Sequence, residues 1–160
     1  MLINTNEILF RIQKALKLSI EEILKTYKLE NHEMSEEHLV SLLKRRQEKD
    51  FILCSYEELG IFLDALVTLK RGASPKKQNN DVVELTNNLI LKKLRIALEL
   101  KEAETEIIFS LAEIKLSKQQ LSSLFRKETH KNFKPCSDEL LMSFLEGLDE
   151  FYYIDGDMEE

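Results

Sequence analysis

The sequence predicts an all-α protein of about eight helices, built as two tandem homologous four-helix modules packed as one compact unit. Three observations carry that expectation. Sliding residues 6–66 forward by 82 positions lays them without a gap on residues 88–148, and 21 of the 61 aligned pairs are identical. A repeat of this length decides the architecture before any local reading. Serines stand in front of apolar stretches whose spacing is helical. The whole chain holds only four Gly and two Pro, and no alternating β-branched stretch of strand length occurs.

The first helix is expected from about Asn6 to Lys17, with Ile8, Leu9, Ile12, Ala15 and Leu16 on one face. The second starts near Ile20 behind Ser19, where Ser19 and Glu22 have the spacing of a capping box: hydroxyl and carboxylate each satisfy an otherwise orphan backbone N–H. The third starts near Glu36 behind Ser35. The fourth starts near Tyr56 behind Ser55 and Glu58, a second capping box, and stops near Gly72. Adding 82 places the remaining helices near residues 88, 102, 118 and 138, with Ser117 and Gln120 forming the glutamine version of the box and Ser137 a plain N-cap. The pairs Phe51/Phe133, Cys54/Cys136, Phe62/Phe144 and Leu66/Leu148 are identical across the copies and are expected to be buried, the cysteines as reduced thiols.

These boundaries give a first module over residues 1–72, a linker over 73–86, a second module over 87–153 and an acidic tail over 154–160. The linker is read from composition, since residues 71–84 (RGASPKKQNNDVVE) gather Gly, Ser, Pro and paired Asn. A module of about 80 residues buries a modest share of its surface when alone, so the two copies are expected to share a core or a sizeable interface. Hydrophobic residues make up 43% and charged residues 32%, a globular balance rather than a disordered one. No apolar run reaches the roughly 18 residues of a membrane helix, and the first ten residues lack a signal-peptide layout. A cytoplasmic location without membrane partners is the expectation.

Residues 87–100 (NNLILKKLRIALEL), 125–148 (FRKETHKNFKPCSDELLMSFLEGL) and 68–72 (TLKRG) resemble the YehS-like bacterial proteins. These are small duplicated proteins of about this length with a domain of unknown function, and the resemblance covers nearly the whole chain. The first copy departs from the second at Tyr56, opposite Asp138, and at Ala65, opposite Gly147, and the acidic ending is longer than in the family. The resemblance implies a bacterial, cytoplasmic protein. It brings no active site with it.

Candidate functional residues are basic. The stretch 126–134 holds Arg126, Lys127, His130, Lys131 and Lys134; its four permanent cations against Glu128 give +3 with the histidine neutral. The equivalent stretch 44–49 holds Lys44, Arg45 and Lys49. Both follow an apolar stripe (Leu39, Leu42, Leu43; Leu121, Leu124, Phe125) and project past the end of a helix. Two basic clusters on a duplicated scaffold suit two stretches of phosphate backbone. Lys92, Lys93 and Arg95 form a third cluster. Against this stand the favourable placement of cations at a helix C-terminus and a formal net charge of −6, which repels nucleic acid at long range.

Other chemistries find less support. About seven residues separate the second and third helices, more than the tight turn of a helix-turn-helix. His130 lies six positions from Cys136, but no third group orients such a pair, and the first copy has Glu48 in the place of His130. His32 and His38 have no cysteine companions at metal-ligand spacing. The acidic runs 33–37 and 102–106 suit solvated helix starts, or a basic surface on another subunit. The sequence therefore favours a non-enzymatic binding or regulatory module without metal or cofactor, with nucleic acid as the ligand to test first. A protein-binding adaptor or self-associating structural protein is the alternative, and a Cys/His-dependent enzyme comes third.

Overall fold

The computed structural model describes residues 4–72 and 84–158, with side chains as far as Tyr153. The described residues form eight helices and no strand: α1 (Thr5–Leu16), α2 (Ile20–Lys28), α3 (Glu36–Leu42), α4 (Tyr56–Arg71), α5 (Asn87–Ala97), α6 (Glu102–Leu111), α7 (Lys118–Leu124) and α8 (Asp138–Met158). Three boundaries differ from the sequence reading. Helices α1 and α5 start one residue earlier than expected, because the caps are Asn4 and Thr86, which accept from the N–H of Glu7 (2.8 Å) and Leu89 (3.2 Å). Helix α8 continues through Met158, so residues 154–158 extend it rather than begin a separate tail. Most of the expected linker, residues 73–83, and the last two residues of the expected tail lie outside the described residues.

The serine caps close as their spacing requires. Ser19 and Glu22 exchange bonds of 2.8 and 3.1 Å, Ser55 and Glu58 two of 2.9 Å, and Ser117 and Gln120 bonds of 2.8 and 3.0 Å. Ser35 and Ser137 accept from the N–H of His38 and Leu140. Each such cap is worth about 1 kcal/mol, which matters for helices of two or three turns. At the position equivalent to Ser19 stands Lys101. There the Glu104 carboxylate still accepts from the Lys101 N–H (2.8 Å), and the hydroxyl half of the box is missing.

Helix stops rest on backbone geometry that residue type does not advertise. Lys17 and its equivalent Glu99 are left-handed (φ 55° and 53°), as are Asn31 and its equivalent Glu113 (φ 56° and 63°). Left-handed geometry costs an L-residue roughly 1–2 kcal/mol. At Lys17 and Glu99 that geometry lets the following Leu18 and Leu100 N–H groups donate to the Gln13 and Arg95 carbonyls (3.1 and 3.0 Å).

The two copies are interlocked. Helix α1 packs along α8, and α4 packs along α5, so the first helix of each copy lies against the last helix of the other. Exchanging the copies maps one pair onto the other, the pattern of a pseudo-twofold. Helices α2 and α6 pack on α4 and α8 respectively. One apolar cluster runs through both copies, from Leu9, Ile12, Tyr27 and Phe62 to Leu91, Phe109, Phe144 and Leu148. Cys54, Cys136, Phe62, Leu66, Phe144 and Leu148 are buried as expected. Phe51 and Phe133 are not: both are half-buried. They sit in the loops returning from the basic stretches, off the helical stripes, and the core positions are filled by Leu59 and Leu63 in one copy and Leu141 and Leu145 in the other.

Gly147, opposite Ala65, has a packing reason. A Cβ there would lie 1.9 Å from the backbone oxygen of Ile108, so α8 meets the backbone of α6 at a distance only glycine permits. Gly60 in α4 has open space around it. Gly147→Ala is therefore expected to destabilise the protein by about 3 kcal/mol through overpacking. Gly60→Ala is expected to stabilise it by about 1 kcal/mol through helix propensity. Urea denaturation of the two variants checks both signs.

Candidate functional site: two stapled basic loops

The two basic stretches fold into the same loop. After α3 the chain makes a turn closed by Glu48 N–H to Arg45 O (2.9 Å), and Ile52 N–H returns to Ser41 O (3.3 Å). After α7 the same bonds recur, His130 N–H to Lys127 O (2.9 Å) and Lys134 N–H to Ser123 O (3.0 Å). One asparagine side chain locks each loop, buried in the first copy and half-buried in the second. The Asn6 carboxamide donates to Leu42 O (2.9 Å) and Ile52 O (2.8 Å) and accepts from Cys54 N–H (2.9 Å). Asn88 donates to Leu124 O (3.0 Å) and Lys134 O (2.9 Å) and accepts from Cys136 N–H (2.8 Å). Leu42 and Leu124 are the last residues of α3 and α7, whose carbonyls have no intrahelical partner, so the carboxamide satisfies a helix end and ties it to the segment that returns from the loop. Thr5 and Asn87, again equivalent, reach the Cys54 and Cys136 carbonyls. These anchors come from the first turns of α1 and α5.

The staple leaves the basic side chains outside. Arg45 and Lys49 are exposed, as are Arg126, Lys127, His130, Lys131 and Lys134. Lys44 is half-buried: its Nζ donates to Lys49 O (2.9 Å) and lies 4.0 Å from the Asp50 carboxylate, so it braces its own loop. Arg46, not singled out in the sequence, is exposed beside Arg45. The equivalent positions Glu48 and His130 both serve their turns: Glu48 accepts from Arg45 N–H (3.0 Å), and His130 Nδ1 accepts from Asn132 N–H (2.9 Å). Arg126 Nη1 lies 3.4 Å from His130 Nε2. The histidine thus has a local structural duty, and Cys136, to which it was compared as a catalytic partner, is buried while His130 is exposed.

The third cluster divides. Lys93 forms an ion pair with Asp64 across the junction of the copies, whereas Lys92 and Arg95 line a surface groove together with Arg71. Of the remaining histidines, His38 Nε2 lies 2.6 Å from a Glu58 carboxylate oxygen, and His32 packs against Tyr27 with ring centroids 5.2 Å apart. The cysteines sit under the loops with their thiols turned to the carbonyls of Ser55 and Ser137. Burial, reinforced by the carboxylates of Glu58 and Asp138, pushes both thiols up to about 12. A thiol held there is protonated at neutral pH and is a poor nucleophile.

What recurs is an all-α module that displays one Asn-stapled basic loop per copy. The chain belongs to the family described as "Protein of unknown function (DUF1456)", whose model matches residues 5–72 and 87–152, one match per module. It is also similar to "Uncharacterized protein YehS" of Escherichia coli (strain K12), at 32% identity over 148 residues, covering 90% of this chain and 93% of that protein. No solved structure gives a significant match.

Replacing Asn88 by Ala strips Leu124 O, Lys134 O and Cys136 N–H of one partner each, the Lys134 bond at an exposed position that water can reach, and is expected to cost about 1–2 kcal/mol. Urea denaturation gives the loss, and faster hydrogen exchange at Cys136 N–H locates it. Both thiols are expected to react slowly with a disulfide reagent in native protein and rapidly in denaturant. Equal rates in the two conditions would contradict the protonated, buried state.

Proposed function

We propose that this chain is a non-enzymatic binding module of the cytoplasm that grips nucleic-acid phosphates through the loops 44–49 and 126–134. The observation that carries the reading is the twofold occurrence of one stapled loop, each copy holding its backbone fixed while leaving Arg45 and Lys49, or Arg126, Lys127, Lys131 and Lys134, in solvent. The helix dipole is a weak account of these cations. Neither α3 nor α7 has a basic residue in its last turn, and the dipole's influence fades within that turn, well short of Lys49, Lys131 and Lys134. A rigid loop loses little entropy on binding, which favours a preformed contact surface. The net charge of −6 opposes long-range steering, so attraction is local and acts over about a Debye length, roughly 8–10 Å. No helix among the described residues is long and apolar enough to cross a membrane. The high thiol pKa supports the non-enzymatic reading.

A protein-binding adaptor, or self-association, is the second reading. It is favoured by the open groove beside α3, where the partly exposed Val40, Phe51 and Ile52 adjoin the first basic loop. The two readings separate in a fluorescence anisotropy titration with mixed-sequence duplex and single strands. If the four permanent cations of the second loop contact phosphates, log affinity should fall with log salt at a slope of about −3.6, from roughly −0.9 per contact. Lys127→Ala combined with Lys131→Ala should flatten the slope by about two units with the melting temperature nearly unchanged. Absence of binding even at low salt would leave protein partners as the working answer.

A further inference from the structure

An open groove of about 530 Å³ lies where the end of α4 meets α5, and three cations line it: Arg71 from the first module, Lys92 and Arg95 from the second. That volume falls within the roughly 300–1,000 Å³ typical of small-ligand sites. None of the three has a carboxylate at ion-pair distance among the described residues. Glu99 also lines the groove, so the local formal balance is three cations against one acid. Arg95 is held ready. Its guanidinium lies 4.6 Å above the Phe125 ring and its Nε donates to Leu100 O (3.3 Å), which leaves both Nη nitrogens without a partner among the described residues. Phe125 also walls the groove and directly precedes Arg126, so the site adjoins the second basic loop.

The duplication supplies an internal control. At the positions equivalent to Arg71, Lys92, Arg95 and Phe125, the other copy carries Tyr153, Phe10, Gln13 and Leu43. Gln13 makes the same backbone bond as Arg95, from Nε2 to Leu18 O (3.2 Å), so the fold needs a donor here and does not need a charge. The cation of that corner, Lys14, is answered by Asp149 at 3.5 Å. The second-copy groove therefore concentrates charge that the architecture does without and that no acid among the described residues pairs with.

We propose that this groove binds a phosphate monoester, with Arg95 as the oriented guanidinium fork and Arg71 and Lys92 as flanking charges. A monoester carries nearly two negative charges at neutral pH, which matches the local excess of two cations. Two sources share that chemistry: the phosphorylated end of a nucleic-acid strand lying on the neighbouring loop, or a free mononucleotide. The site uses residues separate from those of the two loops, so either assignment can fail without the other.

The test is isothermal titration of the whole protein with three probes: adenosine 5′-monophosphate, a single-stranded ten-nucleotide oligomer with a 5′-phosphate, and the same oligomer with a 5′-hydroxyl. Arg95→Gln keeps the Leu100 bond that Gln13 models in the other copy, and its thermal melt verifies folding. Arg71→Gln is the companion variant. The phosphorylated oligomer is expected to bind at least about tenfold tighter than the hydroxyl form, a difference that both variants abolish, as the loss of a charge-assisted hydrogen bond would. Binding of the mononucleotide, equally lost in the variants, without preference between the oligomers assigns the groove to free nucleotides. If no probe shows a phosphate-dependent gain, or if the gain survives both variants, the proposal is overturned. The hydroxyl-ended oligomer reports on the basic loops alone.

Discussion

The crossed pairing of α1 with α8 and α4 with α5 is the contact on which the rest of the molecule depends. Each of these helices presents an apolar face too wide to be covered by its own copy. Ile8, Leu9 and Ile12 on α1 and Leu59, Leu63 and Leu66 on α4 are all buried in one cluster that continues through Leu91, Leu94, Leu145 and Leu148. Within one copy, α1 and α4 touch only lightly. The short helices α2, α3, α6 and α7 have two or three turns each and gain their stability by docking on this central arrangement, since isolated helices of that length are marginal in water. The loops depend on it in turn, because Asn6 and Asn88 reach them from the first turns of α1 and α5.

Much of this was legible in the residues, for reasons that can be named. An 82-residue repeat forces equivalent helices, a serine three residues before an acid or amide marks the starts of α2, α4 and α7, and a serine before an apolar-periodic run marks those of α3 and α8. The features that could not be read are those where residue type and role part company. Lys17, Glu99 and Glu113 stop or follow helices in left-handed geometry that glycine would advertise. Phe51 and Phe133 look like core and line the loop exits instead. The identity of Asn6 and Asn88 was visible, but a carboxamide in a first helical turn resembles any polar surface residue until the loop it holds is in place. The basic stretches stand out in the sequence by charge alone, and in the fold they follow α3 and α7. The groove was missed because Arg71 lies far in sequence from Lys92 and Arg95 and joins them only through the α4–α5 contact.

Charge on this scaffold sets an acidic whole against basic parts. The chain as a whole is acidic, and much of that charge sits at helix starts: Glu21 and Glu22, Glu36 and Glu37, Glu57 and Glu58, and Glu102 and Glu104. Those carboxylates stabilise the helices they begin through the positive dipole end, independently of any ligand. The acidity therefore has a folding explanation, and the clusters beyond α3 and α7 stand out against it. An anionic ligand of the loops would therefore meet repulsion at distance and attraction at contact.

The interlocked pairing also bears on what duplication made available. A module whose first and last helices must each find a partner from another copy would, if unfused, need a second chain to cover them, and its folding would then be second order in chain concentration. Joining the halves makes the encounter intramolecular and removes that dependence. It also lifts a rule of symmetric dimers, in which every substitution at the interface appears twice. The ion pair between Lys93 and Asp64 has no counterpart at Arg11 and Glu146, which occupy the symmetry-related positions; Arg11 pairs with Glu7 on its own helix instead. Fusion thus turned two obligatorily identical faces into two separately inherited ones, free to acquire different chemistry on a common frame.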